Sequence, residues 1–242
     1  MANKKQVAKA AAAAARKAEQ AKVDKRNKMI GIIAVLLVAA AVLGFALSGI
    51  GGTKAAQTPV SITGPSAIAE MNQKVTHTVT IEVENHGTIV ADLYGEAAPI
   101  TVANFVKLVN EGFYDGLTFH RIISGFMIQG GDPLGNGTGG ADQDIKGEFA
   151  ANGWNNPIAH ERGVLSMARS SAPNSASSQF FIMHQAAPHL DGSYAAFGKV
   201  LTGLEVVDAI CANTPVTDSN GTVLKANQPI ITSIRVIENV GE

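Results

Sequence analysis

Arg121, Phe126, Met127 and Gln129 fall close together in the segment FHRIISGFMIQGGD, Phe119 to Asp132. If residues 121, 127 and 129 alternate along one strand bent at Gly125, they share a face. Large apolar side chains beside a guanidinium and an amide would then form a greasy pocket with a cationic rim. On pattern alone, a core strand carrying a surface arginine is the commoner explanation. Two further segments mix apolar and polar residues in the same way: GVLSMARSSAPNSASSQFFIMH, Gly163 to His184, and HLDGSYAAFGKV, His189 to Val200.

Other chemistries fit less well. GNGTGG at 135–140 matches G-x-G-x-x-G, but GGDPL precedes it and ADQDIKGEF follows. A dinucleotide site needs a strand before the glycines and a helix after them, so these glycines read as tight turns. DQDIKG at 142–147 begins like a calcium loop, yet Gly153 stands where a bidentate Glu is required. The six histidines show no i, i+4 helical pairing, so no metal site is expected. Ser166 and the serines at 170, 171, 175, 177 and 178 lack a G-x-S-x-G elbow, which favours turn and hydrogen-bonding roles over a hydrolase triad. No cofactor is expected.

The elements that must position these residues begin near His77. HTVTIEVENHGTIVADLY alternates on both sides of Asn85-His86-Gly87 and predicts a β-hairpin. ITVANFVKLVNEGFY places Val102, Phe105, Val106 and Val109 on one helical face, with Gly112 as a C-terminal stop. Strands are predicted in TFHRIISGFMIQ, GVLSMAR, QFFIMHQ, YAAFGKV and IITSIRVIE, and a second helix in GLEVVDAICANT. Many short strands with two helices predict a mainly β fold, a closed or nearly closed antiparallel barrel with helices at its ends.

Charge divides the chain of 242 residues. Residues 1–28 carry nine Lys/Arg against Glu19 and Asp24, whereas residues 29–242 carry ten Lys/Arg against eighteen Asp/Glu. An acidic body argues against nucleic acid as the main partner, because phosphate binding needs clustered cations on the folded domain. The single cysteine, Cys211, excludes an intrachain disulfide. Residues 29–50, MIGIIAVLLVAAAVLGFALSGI, contain no charge. At ~1.5 Å per residue this run is about as long as a bilayer core is thick. Lys25, Arg26 and Lys28 precede it, which predicts a cytoplasmic N-terminus and an extracytoplasmic body. A cleaved signal peptide is the competing reading, but the run exceeds the usual ~7–15-residue apolar region and no clear A-x-A site follows. The expected organisation is a basic Ala-rich segment at 1–28, a transmembrane anchor at 29–50, a Gly/Ala/Thr/Ser/Pro tether at 51–76 and a globular domain at 77–242.

The long ordered matches FHRIISGFMIQGGD, SQFFIMH and LDGSYAAFGKV resemble the cyclophilin family, and the similarity runs from about His77 to Val240. The resemblance implies an eight-stranded antiparallel barrel capped by two helices, with peptidyl-prolyl cis-trans isomerase activity. Position by position it implies Arg121 as the catalytic arginine and Phe126, Met127, Phe181 and Leu190 as the proline pocket. It further implies Gln129 and Gln179 as polar contacts, the peptide backbone along Ala168, Arg169 and Ser170, and a structural role for His120. His189 stands where the best-studied eukaryotic members have tryptophan, Tyr194 where they have histidine and Arg169 where they have asparagine. His189 and Tyr194 complete the expected peptide-contacting set. These departures bear on cyclosporin-type inhibitor affinity more than on catalysis. The implied partners are proline-containing segments of unfolded or exported chains.

Overall fold

In β1 (His77–Val83) and β2 (Gly87–Leu93), period-two alternation sends Val79, Ile81, Ile89, Ala91 and Leu93 fully into the interior. The turn between them uses Asn85 at φ 61° and Gly87 at φ 122°, and the strands pair from Val83–Gly87 to His77–Leu93. This is the expected hairpin. These elements belong to a computed structural model that describes residues 74–239. The 1–28 segment, the 29–50 run and residues 51–73 of the expected tether lie outside the described residues. Among the described residues, no helix is long and apolar enough to cross a membrane. Just before β1, the Thr76 N–H donates to the Leu93 carbonyl at 2.9 Å.

The remaining strands are β3 (Phe119–Ile123), β4 (Met127–Gly130), β5 (Val164–Met167), β6 (Phe180–Met183), β7 (Ala196–Thr202) and β8 (Ile231–Asn239). They form one eight-stranded antiparallel sheet in the order β3-β4-β6-β5-β7-β2-β1-β8. The expected closed barrel is found as a half-barrel, with β3 and β8 as edge strands. Between those edges lie an isolated bridge, Thr118–Ile230, and a few backbone bonds, including Phe119 N–H to Pro229 O at 2.9 Å and Ile231 N–H to Leu117 O at 2.7 Å. Pro229 has no N–H with which to extend a ladder there.

Both expected helices are present. α1 (Pro99–Asn110) buries Thr101, Val102, Phe105, Leu108 and Val109. Leu108 rather than Val106 completes its inner face, and Val106 is only partly buried. Its first turn has no local side-chain cap. The buried Glu148 carboxylate accepts the Ile100 and Thr101 N–H groups instead, at 3.0 and 2.8 Å, supplying negative charge where a helix N-terminus favours it. α2 (Leu204–Asn213) buries Val206, Val207 and Ile210. In the core, the Phe105 ring lies 5.1 Å from Tyr114, 5.4 Å from Phe180 and 5.1 Å from Phe197, centroid to centroid. This aromatic knot leaves the outer face of β3, β4 and β6 as a rigid platform.

Candidate functional site

Two strands carry the first cluster, not one bent strand. β3 turns into β4 through Gly125 at φ 82°, placing Arg121 opposite Gln129 and Ile123 opposite Met127. Strict alternation would send Arg121 to the same side as Phe119, into the core. The register instead slips between Phe119–Gly130 and Arg121–Gln129, so His120 is an extra residue on β3. This β-bulge lets Phe119 and Ile122 both enter the core while Arg121 faces outward.

The guanidinium is then held from two sides. Arg121 Nη1 donates to Gln129 Oε1 at 3.2 Å, Nε to the Asn220 carbonyl at 2.8 Å and Nη2 to Asn220 Oδ1 at 3.0 Å. Gln129 Nε2 passes the chain on to Gln179 Oε1 at 2.9 Å, and Gln179 Nε2 to Gly139 O at 2.7 Å. Each amide orients the next, which fixes the donor geometry at Arg121. Burial draws the Arg121 pKa down from its ordinary value, opposed by Tyr194 and Asp218. An arginine that starts above ~12 still stays protonated at working pH.

Beside it lies an apolar wall. Met127, Phe181 and Leu190 are all buried, and Phe126, Ala168 and Tyr194 pack against their cluster. The Phe126 backbone is pinned by its N–H to Ile123 O at 2.9 Å and by His184 N–H to Phe126 O at 2.8 Å. The Gly125 N–H donates to His184 Nδ1 at 2.8 Å, leaving Nε2 as the proton-bearing nitrogen facing Asp208 at 3.1 Å. Behind Phe181, His160 stacks on the ring at 6.1 Å and 19°. Its Nδ1 meets Asp191 Oδ1 at 2.9 Å and its Nε2 meets Ser166 Oγ at 3.0 Å. Serine, histidine and aspartate in this order resemble a hydrolase triad, but Ser166 and His160 are 0 and 1% exposed, so no substrate carbonyl reaches the hydroxyl. The expected hydrogen-bonding role for Ser166 is what the geometry supports: it backs the wall of the slot.

Arg121, Phe126, Met127, Gln129, Ala168, Arg169, Phe181, Leu190 and Tyr194 all line one cavity of about 850 Å³. Ser170 and Gln179 line an adjoining hollow of about 230 Å³, shared with Gln129, Ala168 and Arg169. His189 lines neither; it stacks on Phe126 at 5.7 Å and 28°, bracing the rim from outside. The Arg169 guanidinium lies 4.6 Å from the Tyr194 ring centre and 5.0 Å from that of Phe149, and donates to the Ser193 carbonyl at 2.9 Å. That arrangement turns its charge along the wall, and among the described residues its backbone N–H and C=O have no partner. Asn220 was absent from the sequence-derived set, as were Gly137 to Gly139; the Asn-Gly dipeptide at 220–221 signals a turn but not its partner. His120, expected to be structural, lines the cavity.

The family model described as cyclophilin type peptidyl-prolyl cis-trans isomerase/CLD matches residues 78–236. The chain belongs to the cyclophilin family. Among curated cyclophilins, peptidyl-prolyl cis-trans isomerase B of Bacillus subtilis is 51% identical over 143 residues, 59% of this chain and 91% of that protein. The peptidyl-prolyl cis-trans isomerase of Synechococcus elongatus is 48% identical over 141 residues, 55% of this chain and 92% of that protein. A solved cyclophilin type isomerase of Cryptosporidium parvum, crystallised in the presence of the dipeptide Ala-Pro, is 34% identical with a TM-score of 0.59. That likeness covers 67% of this chain and 99% of the other. The cyclophilin domain described here is accordingly a peptidyl-prolyl cis-trans isomerase.

Proposed function

We propose that Arg121 performs the isomerisation by donating a hydrogen bond to the prolyl nitrogen while the apolar slot grips the ring. The X-Pro bond resists rotation by ~18–20 kcal/mol because the nitrogen lone pair is conjugated with the carbonyl. Uncatalysed exchange takes tens to hundreds of seconds. Twisting the bond pyramidalises nitrogen and localises the lone pair, so a fixed donor binds the twisted state better than either planar one. That is differential stabilisation of the transition state, and it makes or breaks no covalent bond. Phe126, Met127, Phe181 and Leu190 hold the ring, while the free backbone groups of Arg169 pair with the peptide main chain.

One observation carries this reading: a guanidinium held by Gln129 and Asn220 at the lip of an apolar slot. A module that only bound proline segments would have no use for so constrained a donor. The test is a cis-to-trans exchange assay on short Ala-Pro and Gly-Pro peptides between mildly acidic and mildly basic pH. Because arginine does not titrate there, the rate is expected to be nearly flat; a bell-shaped profile would assign the step to a histidine acid or base.

The uncharged run at 29–50 and the basic residues before it support placing this domain outside the cytoplasm on a single N-terminal anchor, acting on exported or unfolded chains. Protease added to intact cells should then remove the domain while sparing residues 1–28. Protection of the whole chain would reverse the proposed topology.

A further inference from the structure

The cavity does not end at the apolar slot. Past Arg121 it continues over His120, between residues 134–137 and 222–228, and holding a proline ring explains nothing about this second half. His120 is 5% exposed, and neither of its ring nitrogens has a partner among the described residues. Burial lowers its pKa, opposed by Asp132, so the ring presents one N–H and one lone pair. A buried polar group without a partner calls for one. The loop above it is bare: a Cβ at Gly137 would stand 3.7 Å from His120 Nε2, and one at Gly135 3.8 Å from Lys225 Nζ.

The charge is also one-sided. Arg121, Arg169 and Lys225 line the cavity and no Asp or Glu does, although residues 29–242 have eighteen acids to ten bases. The nearest carboxylates are already occupied. Asp132 accepts the Leu134, Asn136 and Gly137 N–H groups at 2.8, 3.0 and 2.6 Å, and Asp218 accepts that of Thr222 at 3.0 Å. Among the described residues Lys225 Nζ reaches only the Leu134 carbonyl, at 3.4 Å.

We propose that this second half is a specificity subsite for an acidic side chain next to the substrate proline, its carboxylate held by Lys225 above the buried His120 ring. The proposal rests on the isomerase reading of Arg121. It is tested with the full chain on three peptides: Ala-Ala-Pro-Ala, and the same peptide with Asp or with Asn beside the proline, before it or after it. At one of the two positions kcat/KM should favour Asp over Asn about fivefold, the upper range for a partly exposed ion pair. The preference should vanish in Lys225→Gln and shrink in about 0.5 M salt, while turnover of the neutral peptide stays unchanged. Equal turnover of Asp and Asn peptides at both positions would overturn the subsite alone, as would a preference that survives Lys225→Gln. Failure to turn over the neutral peptide would overturn the isomerase reading and the subsite with it.

Discussion

Replacing Gln129 by Leu keeps the side-chain shape while removing the acceptor for Arg121 Nη1 at 3.2 Å and the donor to Gln179 Oε1 at 2.9 Å. Arg121 keeps its two bonds to Asn220, at 2.8 and 3.0 Å, so it stays in the site but gains freedom to swing. The lost contact is the longest of the three, and hydrogen bonds to charged groups contribute ~1.5–3 kcal/mol. The low end applies, about 1.5 kcal/mol, or roughly tenfold in kcat. Met127, Phe181 and Leu190 remain in place, so peptide affinity should change less than about threefold. Exchange rates from NMR line shapes and dissociation constants from the same titration read both quantities. A double-mutant cycle sharpens the test. If Gln129 acts through the guanidinium, Gln129→Leu should cost almost nothing in an Arg121→Ala background. Additive losses would refute the positioning role.

Gly221 sits at φ 79°, and a Cβ there would strike the Ile122 carbonyl oxygen. Gly221→Ala should therefore destabilise the domain by ~1–2 kcal/mol or more and also lower kcat, because it displaces the adjacent Asn220; thermal melts and exchange rates check the pair. His120 and His160 both have pKa values lowered chiefly by burial, with Asp132 and Asp191 acting in opposition. The unfolded chain then binds more protons than the folded one below ~6.5. Their contribution to stability is complete above that pH and is lost as pH falls toward the folded-state values. Denaturation midpoints should be level above about pH 7 and decline below pH ~6.5, and less steeply in His160→Gln. Glu148→Gln should lower the melting temperature without altering peptide affinity, since it weakens only the cap on α1, a contribution of ~1 kcal/mol.

Periodicity and turn residues were enough to locate both helices and seven strand segments, helped by Asn85, Gly87 and Gly112 at their boundaries, but they merged β3 and β4 into one bent strand. The apolar wall of the site was legible through its resemblance to the family's segments. The aim of Arg121 was not: it depends on one bulged residue, His120, and a bulge leaves no mark on a hydrophobic pattern. Asn220 was equally hidden, lying 99 residues from the arginine it holds. Glu148, 47 residues from the Thr101 amide it caps, escaped for the same reason. Such partners are fixed by how the sheet curls, not by local sequence.

The central claim is best tested by measuring catalysed exchange and peptide affinity together in Arg121→Ala. A preorganised donor aimed at the twisted amide should be worth ~3–4 kcal/mol, so kcat should fall by two to three orders of magnitude while the dissociation constant moves less than about threefold. Equal losses in both, or turnover at the wild-type rate, would show that the arginine binds substrate or does nothing, and that the slot alone accounts for the activity.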